Sequence, residues 1–133
     1  MENEQEKSKE ITNNPKLREV IYQFSKDLVA TQQYRDFENA IEEFQKDAAA
    51  QNALKEYQAF AQGLQTKQLF NNFTTTERSD LDRLWINFQS YPTVKRYFSA
   101  QEEFQTLCHS CAQVISKSCR LDFATSCGAS CCG

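Results

Sequence analysis

The stretch PTVKRYFSAQEEFQTLCHSCAQVISKSCR, residues 92–120, decides the fold. Pro92 suits the first position of a helix, where its missing N–H would be unpaired anyway. Val94, Tyr97, Gln101, Phe104, Cys108, Cys111, Ile115 and Ser118 then recur at steps of three and four, the spacing of one helical face. At about 1.5 Å per residue, a helix from Pro92 to Arg120 is roughly 43 Å long. That is too long for a compact globule of 133 residues. The helix needs a partner along its length, either the helix before it or a second chain.

Working back from Pro92, Tyr91 closes an earlier helix, because a residue before proline is pushed out of helical geometry. That helix shows Leu81, Leu84, Trp85 and Phe88 on one face. It opens after the run NNFTTT, residues 71–76, where Thr74 and Glu77 have the spacing of a capping box. Further back, Asp47 caps a helix carrying Ala50, Leu54, Tyr57, Ala61 and Leu64 at alternating steps of four and three. Gly63 lies inside it and costs roughly 1 kcal/mol against alanine, which a close helix contact would explain. Tyr34, Phe37, Ile41 and Phe44 form another run, either continuing the first helix after a kink or starting afresh at Thr31. The first helix opens at Asn14-Pro15, an N-cap followed by proline, and presents Leu17, Val20, Ile21, Phe24 and Leu28. No internal repeat stands out.

These readings predict an all-α fold: four to five helices with a long antiparallel helical hairpin, in a bundle that oligomerises, as a dimer. Residues 1–13, charged and poor in apolar side chains, are expected to be disordered. Residues 14–121 form the helical domain, with Leu121 and Phe123 finishing the last helix. Residues 122–133 form a flexible, cysteine-rich tail.

Composition agrees. Gly 3 and Pro 2 are far below the usual shares of about 7% and 5%, so turns are few. A formal net charge of −3 gives no basic footprint for direct nucleic-acid binding. The polar start lacks the apolar core of a signal peptide, and no long apolar run suggests a membrane span. A cytoplasmic location is the expectation. No phosphate loop can be built from three glycines, and the one histidine, His109, cannot supply a metal pair. It is expected to face solvent. Glu42-Glu43 and Glu102-Glu103 are neighbours that diverge around a helix, hence solvated faces rather than an acid/base pair. The aromatics Phe24, Tyr34, Phe37, Phe44, Tyr57, Phe88, Tyr97 and Phe104 fall at core spacing, with only Lys95-Arg96 as a basic neighbour, so core is favoured over a stacking platform for RNA. No catalytic residue is assigned, and the chain does not read as an enzyme.

All six cysteines lie at or after Cys108. Clustered thiols without an export signal point to metal, iron–sulfur or redox chemistry rather than structural bridges. Cys108 and Cys111 share the apolar seam between Phe104 and Ile115 and can equally pack as small hydrophobes. Cys119 lies two turns further on. Cys127, Cys131 and Cys132, in TSCGASCCG (residues 125–133), have no local apolar company.

The pattern Leu28, Tyr34, Phe37, Ala40, then Asp47-Ala48, Leu54, Tyr57, then Tyr91-Pro92-Thr93-Val94, Tyr97, Ala100 and Glu103 resembles the YlbF/YmcA family of small helical proteins. The strongest piece is YPTVKRYFSAQEEFQTL, residues 91–107, with Tyr91 where the family usually has asparagine. The resemblance covers roughly Leu17 to Ser118. It implies a self-associating all-α bundle with no catalytic site. It also implies membership, with related helical proteins, of a multi-subunit complex that promotes competence, sporulation and biofilm formation and directs an endoribonuclease in messenger RNA maturation. Some members of that complex ligate iron–sulfur clusters through cysteines, including cysteines in a C-terminal tail. Cys127, Cys131 and Cys132 match such a tail in placement; Cys108, Cys111 and Cys119 are not part of the pattern.

Thiolates suit zinc or iron–sulfur clusters. The tail offers three ligands, one short of a four-cysteine site; Cys119, a second subunit or a partner protein can supply the fourth. An iron–sulfur cluster bridging chains fits that shortfall best. Two readings result. One is a non-enzymatic adaptor whose tail holds a cluster; the other is a thiol-based redox or metal-carrier protein using the same cysteines. A bundle with an inert tail is the bland third.

Overall fold

A computed structural model of the chain describes residues 13–68 and 74–126. The described residues are all-α: α1 (Pro15–Val29), α2 (Gln32–Lys46), α3 (Ala48–Gln68), α4 (Thr75–Gln89), α5 (Pro92–Cys119) and the single turn α6 (Phe123–Ser126). The N-terminal segment expected to be disordered lies outside them, apart from Asn13, which sits in a turn. The chain divides into two units between Arg35 and Asp36.

The caps are those the sequence dictates. Asn14 Oδ1 accepts from Leu17 N at 3.1 Å, with Pro15 as first helical residue. Thr31 Oγ1 accepts from Tyr34 N at 3.2 Å, so α2 begins anew rather than continuing α1. Asp47 Oδ1 accepts from Ala50 N and Thr74 Oγ1 from Glu77 N, each at 3.1 Å. Each bond satisfies one of the donors that a helix start leaves orphaned. Among the described residues, Gly63 has open space where a side chain would stand, so none of them makes the expected close contact.

In the second unit the core gathers Ala50 and Ala53 of α3, Phe88 of α4 and Val94 of α5, with Phe44, Leu54, Trp85, Tyr91 and Phe98 packed against them. The two alanines let α3 come close to Phe88. Lys67 near the end of α3 pairs with Glu77 at the start of α4 at 2.7 Å, while Tyr57 meets Trp85 at 5.0 Å. The two helices are therefore antiparallel. So are α2 and α5: Phe37 stacks on Phe104 (5.7 Å), Phe44 meets Tyr97 (5.6 Å), and Phe37 meets Tyr97 (5.5 Å). Such ring pairs contribute about 0.5–1.5 kcal/mol each beyond the area they bury. The partner is thus neither of the two expected, the preceding helix or a second chain, but α2, and it pairs with the first half of α5.

The expectation of no internal repeat is overturned. Residues of α1 and α2 have counterparts sixty positions later in α4 and α5. The N-caps Asn14 and Thr74 correspond, α1 and α4 have the same length, and the C-caps Ala30 and Ser90 are both right-handed. The next helix starts at Gln32 in one copy and Pro92 in the other. NAIEEFQK (39–46) matches SAQEEFQT (99–106), and the matched Ala40 and Ala100 are both buried. Within the second unit the ring pairs obey the same rule: Phe37–Phe104 and Tyr97–Phe44 are one contact seen from both sides of an approximate twofold axis. The copies part at Asp47, where α2 ends, against Leu107, where α5 runs on. A helix-capping residue in one copy and a helix-forming one in the other decide that difference.

Candidate functional site

Three of the six cysteines lie in the described residues, all in the second half of α5. Cys108 and Cys111 are half-buried, on the seam with Phe104 and Ile115, as small packed side chains. Cys119, the last residue of α5, is exposed. His109 is exposed, its ring 3.2 Å from the Gln113 amide.

The chain leaves α5 by a defined turn. Arg120 takes the left-handed conformation (φ 55°), one that a side chain enters at a cost of roughly 1–2 kcal/mol. Ser116 anchors the residues just beyond it: its carbonyl accepts from Leu121 N at 3.2 Å and its hydroxyl from Phe123 N at 3.0 Å. Asp122 then starts α6, taking a hydrogen bond from Thr125 Oγ1 at 2.7 Å. That hydroxyl, with backbone N–H groups behind it, holds the Asp122 carboxyl below its usual range. One expectation is corrected here: Leu121 and Phe123 do not finish α5; both are exposed beyond its end. Phe123–Ser126, in the segment expected to be a flexible tail, forms a helical turn. The sequence signal was available: Asp122 with Thr125 three residues on is a helix start.

Cys127, Cys131 and Cys132 lie outside the described residues. Among the described ones, no group of three His, Cys, Asp or Glu side chains could hold a metal ion. Cys108, Cys111 and Cys119 therefore do not make a site by themselves. Of the three, only Cys119 is exposed. Thiolates fit an iron–sulfur cluster as donors.

A second region was legible only in part. Asp47 caps α3 and also accepts from Thr93 Oγ1 at 2.7 Å, tying the α2–α3 corner to the start of α5. The Thr93 hydroxyl first, then the Ala50 N–H, lowers the Asp47 pKa from its ordinary value. Beside it, Arg96 Nη1 meets Glu43 Oε1 at 3.0 Å, an exposed pair. Glu42 pairs with Lys46 on its own helix at 2.7 Å. The two glutamates thus serve separate cations on separate faces, as their divergence requires. A cavity of about 210 Å³ opens next to this corner between Phe44, Leu54, Trp85 and Val94. No charged side chain lines it.

The apolar stripe of α1 departs from the core reading. Val20 is 64% exposed and Phe24 44%, and no residue of α1 is buried. Seven of the eight aromatics read as core are at least half-buried; Phe24 is the exception. Among the described residues no helix is long and apolar enough to cross a membrane.

A family model described as control of competence regulator ComK, YlbF/YmcA, matches residues 17–120. The match ends at Arg120, the left-handed residue where α5 stops. No curated protein and no solved structure matches the chain.

Proposed function

The chain belongs to the YlbF/YmcA family, and we propose that it is a non-enzymatic regulatory adaptor: its helices assemble with related helical proteins and with copies of itself, and its cysteine tail ligates an iron–sulfur cluster. The observation that carries the reading is the extent of the family match. It covers the helical body to the end of α5, and the cysteine-dense stretch of sequence lies beyond the matched residues. Control of RNA maturation or of development, through a larger complex, is the process proposed for the chain.

In this reading each part has one task. The aromatic seam of α2 and α5 makes a rigid body, because interleaved rings pack at fixed distances. The turn from Arg120 to Ser126 sets where the tail departs. Cys127, Cys131 and Cys132, with Cys119 as the fourth thiolate, hold the cluster; a cluster supplies an oxygen- and redox-sensitive state. Binding there orders the tail, and the ordered tail alters the surface that partners meet.

The test is purification without oxygen, followed by visible spectroscopy and iron and sulfide analysis. A coloured protein that bleaches in air, and stays colourless when Cys127, Cys131 and Cys132 become serine, supports the cluster. A colourless protein with fast thiol–disulfide exchange at the same cysteines supports the carrier reading instead. Recovery of related helical proteins with the native chain supports the adaptor half; their absence from the purified material counts against it.

A further inference from the structure

We propose that the cavity of about 210 Å³ beside the α2–α3 corner binds a small uncharged aromatic molecule, one ring with a short substituent or two fused rings. The inference goes beyond the reading above and draws on no cysteine.

Four helices contribute to the cavity, through residues that all belong to the second unit. Its floor is core: Phe88 of α4 is 4% exposed and Val94 of α5 1%. Its walls are half-buried: Phe44 of α2, Leu54 of α3, Trp85 of α4, and Tyr97 and Phe98 of α5. The cavity therefore runs from the core to the surface, and a molecule reaches the floor without unfolding the body. The rings around it are spread. Centroids lie 6.0 Å apart for Phe44 and Phe88, 6.2 Å for Trp85 and Phe98, and 6.4 Å for Phe88 and Phe98. Those values fall in the wider half of the range of about 4.5–7 Å for ring pairs. All three pairs meet edge to face, and a further ring joins such a cluster on the same terms.

Size and polarity choose the ligand. An apolar cavity of about 150 Å³ takes benzene, and drug-sized ligands occupy roughly 300–1,000 Å³. The volume here falls between the two, at one ring carrying a few further heavy atoms. The lining holds no carboxylate, ammonium or guanidinium, so an ionised molecule would bury its charge without a partner. The charges of the adjoining corner are already engaged: Asp47 accepts from Thr93 and Ala50, and Glu43 pairs with Arg96. The indole N–H of Trp85 and the hydroxyl of Tyr97 are the polar groups of the lining side chains. Water, which takes about two to four hydrogen bonds in a buried site, finds few partners there. A bound ring touches α2, α3, α4 and α5 at once, so occupancy stiffens the junction where the four helices meet.

Titration of the full chain with toluene under reducing conditions tests this, read by the thermal midpoint and by emission of Trp85, the one tryptophan. Saturable binding with a Kd of roughly 0.1–1 mM is expected, from about 200 Å² of apolar surface withdrawn from water. At about ten times Kd the midpoint should rise by a few degrees. Benzoate, the same ring with a charge, should bind at least about tenfold more weakly. Leu54→Phe fills the cavity and should abolish toluene binding. Leu54→Ala enlarges it and should shift the preference from toluene to naphthalene; this comparison decides if Leu54→Phe fails to fold. No response to toluene up to its solubility overturns the proposal. So does benzoate binding as tight as that of toluene, or a size preference that Leu54→Ala leaves unchanged. Tighter binding of N-acetylphenylalaninamide than of toluene would make the cavity a socket for a partner protein's side chain and overturn the free-ligand reading.

Discussion

The two repeats are built to one plan and end differently. In the second, α4 lies against α3, and Phe88 and Val94 are buried among rings. In the first, α1 has the same length, a matching N-cap and the same stripe positions, yet none of its apolar side chains is buried. Local rules made both helices; within its own unit only α4 has a neighbouring helix to pack on. Most helical stability comes from such packing rather than from propensity, and an isolated helix of this length is marginal.

Substitutions at matched positions sharpen that contrast. Phe88→Ala should lower unfolding stability by about 3–5 kcal/mol in denaturant titrations, as expected for a buried aromatic. Its counterpart Leu28→Ala should cost a fraction of that in dilute protein. Equal costs would break the comparison.

The corner where the repeats part comes next. Asp47→Ala removes the α3 cap and the tie to Thr93 together, and should lower the thermal midpoint by less than Phe88→Ala does. Because the folded Asp47 pKa lies below its ordinary value, its contribution is fully present above the ordinary carboxylate pKa. It fades as pH falls through the lowered one. The gap between the wild type and Asp47→Ala should therefore start to narrow below about pH 4 and close only below the lowered pKa. A gap that persists in acid would remove the carboxylate from the account.

The caps give a smaller effect. Thr74→Ala should cost about 1 kcal/mol of global stability. Asn14→Ala should instead reduce helix content in dilute protein with little shift of the main unfolding transition. Smallest is Arg96→Ala, which breaks an exposed pair worth less than about 1 kcal/mol and should matter least at high salt.

Much of this was readable from the sequence, and the reasons for the rest are physical. Asn14, Thr31, Asp47 and Thr74 announced their helices because capping needs only near neighbours. The length of α5 demanded an antiparallel partner before the rings of Phe37 and Phe104 were seen to meet. The repeat was hidden because the copies share a plan and few residues: Leu17 answers to Glu77, Ser25 to Trp85. Exposure of Phe24 was hidden because a stripe has the same period whether a helix covers it or not. The second bond of Asp47, to Thr93, spans a distance in sequence that no local pattern encodes. At the cysteine end, Cys108 and Cys111 sit on the seam their spacing gave. Asp122 was missed because a short helix offers a cap and no periodicity.

Hydrogen exchange of α1 and α4 in the same full-length chain tests the central contrast most directly. Amides of α4 should be strongly protected, and those of α1 should exchange far faster. Protection of α1 equal to that of α4 would contradict the account.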